Sequence, residues 1–125
     1  MTRGIYLGAA LAIACGFAVG DASAQGPSQG ARQFAGAASY YDRNYRGRTA
    51  SGASYDSTKF TAAHRTLPFG TRLSVTDART HRAVTVVVND RGPFIKGRVL
   101  DLSFAAAQAL HMTGRGIIRV TAAVE

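Results

Sequence analysis

Cysteine is almost absent. Cys15 is the only one, and it lies inside an apolar run near the N-terminus. A disulfide framework is therefore excluded for everything after that run, as is a metal site built on thiolates. Histidine is scarce, with three residues, and no two of them have the spacing of a ligand pair. No bound metal or cofactor is expected. There is no G-x-S-x-G, no phosphate-binding glycine loop and no dinucleotide fingerprint, so the sequence marks of serine hydrolases and of nucleotide-dependent enzymes are missing. No internal repeat or heptad is present. Acids are in short supply, with 7 Asp and Glu against 15 Lys and Arg and a formal charge of +8. That excess favours anionic polymers or head groups as partners. The arginines are scattered rather than clustered, which argues against a nucleic-acid groove.

The one long hydrophobic run, Ile5 to Val19, follows Arg3 and precedes an A-x-A site at Ala22-Ser23-Ala24. This is the pattern of a secretory signal peptide over residues 1–24, and it is too short for a convincing membrane span. No transmembrane segment is expected in the exported form. The alternative is lipid attachment at Cys15, although apolar residues continue through Phe17-Ala18-Val19. Residues 25–35 are rich in Gly, Ser, Ala and Gln and read as a flexible tether. Residues 36–125 read as one domain. Arg3 and Asp21 leave together with the leader, so the exported part keeps the charge of +8.

What is present is a set of short extended segments. Val84 to Pro93, VTVVVNDRGP, is a β-branched run that stops in a polar turn. Its near-continuous apolar character suggests burial on both faces. Gly36 to Asp42 is a first strand, and Arg43 to Ser54 is a long surface loop. Thr71 to Thr76 alternates, with Leu73 and Val75 on one face. Asp77 to His81 is a turn whose charged groups are most simply solvated. Arg98 to Leu102 is a strand, Ser103 an N-cap, Phe104 to Met112 a short helix, and Ile117 to Val124 a closing strand. Many short strands with one helix predict a closed or nearly closed β-barrel.

The candidates for chemistry are few. Asp42, Asp56, His64, Asp90 and Asp101 each lie at a strand end or in the long loop. Asp90 is carried by a rigid strand into a turn, with Arg91 beside it, a good place for an acid or base; the alternative is that it merely caps the turn. General acid–base work by carboxylates with His64 is the one class of catalysis left standing.

These segments also carry a resemblance. GAASYYD, RTASG with YD, TAAHRTLPFGTRLSVT, VVVNDRGPF and GRVLDLSFAAAQAL, followed by the closing strand, resemble the rare lipoprotein A (RlpA) family from Gly36 to Val124. The resemblance implies a mainly β fold, a six-stranded double-psi β-barrel with one short helix. It implies a lytic transglycosylase of the periplasm or cell envelope that cuts peptidoglycan glycan strands, preferably peptide-free ones, to 1,6-anhydromuramoyl ends. The family's proposed site is a Glu and an Asp in T-A-x-G-E-x-x-D, the His of TAAH and the Asp of NDRGP. The last three match as Asp56, His64 and Asp90. The Glu position holds Ala53. The implied roles are acid/base for Asp90, with His64 and Asp56 positioning sugar or stabilising charge. Asp42 stands where the family has Gly, and related family 45 endoglucanases carry an Asp at a similar place. Leu100-Asp101-Leu102-Ser103 resembles an expansin pattern. Asp42 and Asp101 are thus candidate groove carboxylates, or else a turn Asp and a helix-start charge. Tyr41, Tyr55 and Arg91 are candidate substrate contacts, although strand aromatics are more often core. The family's larger members add a C-terminal glycan-binding repeat domain, which is not expected within these residues. The rival reading is a non-catalytic, expansin-like wall-binding module, and Ala53 is the feature that favours it.

Overall fold

In the computed structural model, residues 32–125 are described; the expected leader, Cys15 and the tether up to residue 31 lie outside them. Six strands and one helix follow in the order β1 (Gln33–Tyr40), β2 (Thr61–Ala63), β3 (Arg72–Asp77), β4 (Ala83–Asp90), β5 (Arg98–Leu102), α1 (Phe104–Ala109) and β6 (Ile118–Val124). The strands close into a barrel in the order β1-β5-β2-β4-β3-β6. Strands from the first half of the barrel (β1, β2, β3) alternate with strands from its second half (β4, β5, β6). Every ladder therefore joins the two halves, and neither half can close a sheet by itself. The β1–β5 and β2–β4 pairs are parallel and the other four are antiparallel. This is the expected double-psi barrel.

The core is the barrel interior. Leu73 and Val75 of β3, Val84, Val86 and Val88 of β4, and Leu100 and Leu102 of β5 fill it with Val120 and Ala122 of β6. The valine strand is not buried on both faces. Its even-numbered valines point inward, while Thr85 and Val87 are half-buried outside, because a barrel has a single interior. The first strand starts at Gln33, inside the stretch read as tether. Pairing of Gln33, Phe34 and Ala35 with Ala123, Ala122 and Thr121 draws those residues into the ladder. Gly36 permits a close approach there, since a Cβ at that position would lie 2.6 Å from Val99 Cγ1. The helix is shorter than its alanine-rich composition suggests. Ser103 Oγ accepts from Ala106 N at 3.3 Å as the N-cap, and the chain leaves helical geometry by His111, whose φ is +55°. Leu110 and Met112 reach the core from the following turn.

Asp77 overturns the expectation of a solvated turn. It is 1% exposed, pairs with Arg115 and accepts the backbone N–H of Arg79 at 2.8 Å. Asp77 pairs with Val120 of β6 in the ladder, and its ion-pair partner Arg115 lies in the segment that leads into that strand. Burial alone would raise its pKa, but the Arg115 guanidinium and the turn amides outweigh burial and hold it at about 2, against an ordinary 3.8. The folded pKa is depressed, so the stabilisation is full above the unfolded value and is lost as pH falls from about 4 towards about 2. Asp77→Asn is expected to cost about 2 kcal/mol at pH 7, a Tm lower by roughly 10 °C for a domain of this size. Thermal melts at pH 7 and pH 3 check this: the gap between the two proteins should narrow at the lower pH. An equal Tm at pH 7 refutes it.

Candidate functional site

The site lies across four neighbouring strands, and backbone register builds it. Ala62 pairs with Val88, but Ala63 pairs with Asp90, so a bulge passes over Asn89. Ala63 also pairs with Asp101 of β5, which pairs in turn with Ser39 of β1. Ser39, Asp101, Ala63 and Asp90 thus form one row. Adjacent strands are about 4.8 Å apart, so the Cα atoms of Asp90 and Asp101 stand roughly 10 Å apart with only an alanine between them.

Three donors hold the Asp90 carboxylate. Oδ1 accepts from Ala50 N at 2.7 Å and from Arg91 N at 2.8 Å, and Oδ2 accepts from the Tyr41 hydroxyl at 2.5 Å. The Ala50 amide comes from the TASG turn, which docks through Ser51 N on Asn89 O at 3.2 Å and is closed by Gly52 N on Thr49 O at 2.9 Å. Tyr41 follows β1 directly, its N–H donating to Leu102 O at 2.9 Å. Burial, and then the neighbouring Asp90 carboxylate, push its phenol far above the usual range, so it stays a donor. Its ring stacks on Tyr55 with centroids 4.9 Å apart, and Tyr45 closes edge-on against both. Tyr55 is fixed from behind, its hydroxyl accepting from Phe104 N at 3.0 Å. Burial is the main cause that raises the Tyr55 phenol as well.

Asp101 is the second carboxylate of the row. Its Oδ1 accepts from the Ser39 hydroxyl and from Arg98 Nη2, the latter at 2.8 Å. Its hydrogen bonds fall on Oδ1. Oδ2 faces Gly92, lying 3.9 Å from where a Cβ on that residue would sit. Gly92 has a φ of +125°, a conformation suited to glycine, and it lets the turn after Asp90 pass close to Asp101.

The other expected site residues are placed differently. Asp56 is exposed and closes its own turn, with Oδ1 accepting from Thr58 N at 2.9 Å and Thr58 Oγ1 at 2.6 Å, the bonds that lower its pKa. Asp42 does the same for Asn44 N at 2.9 Å. His64 meets Asp90 through main chain alone, its N–H on Asp90 O at 3.1 Å. Its Nδ1 accepts from Thr66 N and Leu67 N, both at 3.1 Å, and its ring packs edge-on against Phe34. Burial, then Arg65 and Arg91, lower its pKa, so the imidazole is neutral at pH 7 with its proton on Nε2. The Arg91 side chain turns away to Leu67 O at 2.8 Å and lies over the Phe69 ring. It clamps two loops together. Ala53 is exposed on the rim of a groove of about 430 Å³ shared with Tyr45, Tyr55, Asp56, Arg43, Arg46 and Lys59.

Sequence reasoning thus found the Asp90, Asp101, Tyr41 and Tyr55 that the fold brings together. It missed Tyr45, which sits in a Gly- and Arg-rich loop without periodicity, and the amide role of Ala50, for which an intact TASG was the available signal. Ser39 and Arg98 gave no local signal, because only strand pairing places them beside Asp101.

Comparison with known proteins gives the family and the fold. A family model described as lytic transglycolase matches residues 33–122. A probable endolytic peptidoglycan transglycosylase RlpA of a Nostoc species is 52% identical over 90 residues, covering 70% of this chain and 24% of that protein. The endolytic peptidoglycan transglycosylase RlpA of Pasteurella multocida is 49% identical over 83 residues, covering 66% and 28%. The chain therefore spans about a quarter of the length of these relatives. Among solved structures, a Streptomyces papain inhibitor aligns with a TM-score of 0.61 at 24% identity over 74% of this chain and 94% of that one. A Clavibacter michiganensis expansin aligns at 0.59 and 23%, over 74% and 50%. These two share the fold.

Proposed function

Because the chain belongs to the lytic transglycolase family, we propose that its barrel cleaves peptidoglycan glycan strands without water, leaving 1,6-anhydromuramoyl ends. The observation that carries this reading is the Asp90 carboxylate, held by two backbone amides and one phenol at the end of a row of small and polar residues. Hydrolytic glycosidases need two carboxylates because water must be activated as well as the leaving oxygen protonated. Here the sugar's own 6-hydroxyl attacks C1. The C1–O4 bond breaks, the C1–O6 bond forms, and one proton moves from O6 to O4. A single acid/base serves both ends of that transfer. Asp90 Oδ2 is that group, and Tyr41, a fixed neutral donor, orients it. The neutral His64 contributes an Nε2–H donor and not a cation, and it holds the Asp90 strand end through its backbone. Asp56 acts at the rim, on the groove beyond the tyrosines.

The protein works in the cell envelope. Residues 1–24 act as the export signal, and the excess of arginine draws the exported domain to the anionic wall. Incubation of the purified chain with peptide-free glycan strands, followed by mass spectrometry, tests the reaction. Anhydromuramoyl-ended fragments are expected. Reducing ends would replace this reading with hydrolysis by the Asp90–Asp101 pair. Absence of products with retention on insoluble wall would establish the binding module favoured by Ala53.

A further inference from the structure

Phe94 is the most exposed large apolar side chain among the described residues, at 76%, and Ile95 beside it is 56% exposed. One exposed apolar residue is ordinary. The setting of this one is not. It lies on the turn that begins at Asp90, and that turn is braced: Arg65 Nη1 donates to Pro93 O at 3.4 Å and to Arg98 O at 3.2 Å, tying it to β5. The point where a Cβ on Gly92 would sit is 3.7 Å from Phe94 Cε2 and 3.9 Å from Asp101 Oδ2. Ring and carboxylate therefore flank the same glycine, and the carboxylate oxygen nearest that point is the one outside the Ser39 and Arg98 bonds. At 76% exposure the ring has a face open to solvent. A pyranose offers the matching surface, an apolar C–H face with a polar rim.

We propose that Phe94 and Asp101 form a sugar subsite beside Asp90, the ring taking the apolar face of one pyranose and Asp101 Oδ2 accepting from a hydroxyl or acetamido N–H on its rim. This rests on the reading of the protein as glycan-acting and names a residue which that reading does not use. Gly92 keeps the subsite open, since any side chain there would fill the gap between ring and carboxylate. The subsite supplies affinity for the sugar beside the one at Asp90 and takes no part in proton transfer.

Sedimentation of the full chain with insoluble peptide-free glycan at 4 °C reads binding apart from cleavage. Phe94→Ala is expected to bind about tenfold more weakly, the upper end for one exposed aromatic contact. Phe94→Trp should bind at least as well as the native protein, and Phe94→Leu should resemble Phe94→Ala, because a face and not mere apolar area is required. The kcat at saturating glycan should stay within twofold of native while KM rises. Equal binding by native and Phe94→Ala, or full rescue by leucine, overturns the subsite. Failure of the native chain to bind glycan overturns it together with the reading on which it rests. Binding that depends on the ring without any cleavage upholds the subsite and removes only the catalytic assignment.

Discussion

Asp90→Asn is expected to lower the rate of glycan cleavage by about 10²- to 10⁴-fold, the range that general acid–base catalysis supplies. At 1.36 kcal/mol per tenfold this is a loss of roughly 3–5 kcal/mol of transition-state stabilisation. The substitution is nearly isosteric. The Asn carbonyl oxygen can accept the Ala50 and Arg91 amides as Oδ1 does, and the Tyr41 hydroxyl can turn to accept from the new NH₂. The barrel end and the docked TASG turn are therefore kept, and melting temperature and glycan binding should stay close to native. The lost property is proton transfer, since an amide neither protonates O4 nor takes the proton from O6. The yield of anhydromuramoyl ends over time is the measurement. Cleavage by Asp90→Asn at the native rate would remove Asp90 as the acid/base and leave it as the keystone of the turn.

Ala53→Glu is expected to raise kcat by about 10²-fold, the lower end of the same range. The backbone at this position is already fixed, with Thr49 N donating to Ala53 O at 2.8 Å and Thr49 Oγ1 at 2.9 Å. The side chain is exposed on the rim of the groove, and Arg43, Arg46 and Lys59 line the same space. A carboxylate there meets three cations and one acid, Asp56, so its charge is favourably placed. It would share the acid–base work with Asp90 and stabilise positive charge developing at C1. Fragments should appear faster at equal protein concentration, and the anhydromuramoyl product should persist. An unchanged rate would show that the native reaction runs at full capacity on Asp90 alone. A switch to reducing ends would show that the new carboxylate activates water.

The two substitutions separate by where their effects are written in the chain. Asp90 stands out in one dimension, because a β-branched run cut off by Asn-Asp-Arg-Gly-Pro can only be a strand delivering an acid into a turn. The same local logic found β5 at Arg98–Leu102, its Ser103 cap and the inward face of β3, but it read the valine-rich β4 as buried on both faces. It faltered where pairing overrides composition. Gln33 to Ala35 look like tether yet join β6. Asp77 looks like a solvated turn acid yet is buried under Arg115. The helix stops at Ala109 although alanine propensity would carry it on, since Leu110 and Met112 are needed in the core.

The sequence by itself determined that the chain carries a cysteine-poor, basic, mostly β domain with a handful of possible acids, and its ordered motifs pointed to the family. These properties reside in composition, alternation and spacing, which survive without any fold. The tertiary structure alone decided which acids meet. Asp90 and Asp101 become neighbours because the short β2 pairs on one side with β4 and on the other with β5, so that Ala63 faces both. Asp42 and Asp56, equally eligible in one dimension, close their own turns and stay outside the row, Asp56 on the groove's rim. His64 keeps its backbone at the site while its ring is held by local amides. The reason is the interleaving of the strands: apart from the β3–β4 hairpin, the ladders join segments separated in the chain, and a register set by two strands far apart leaves no trace in either one alone.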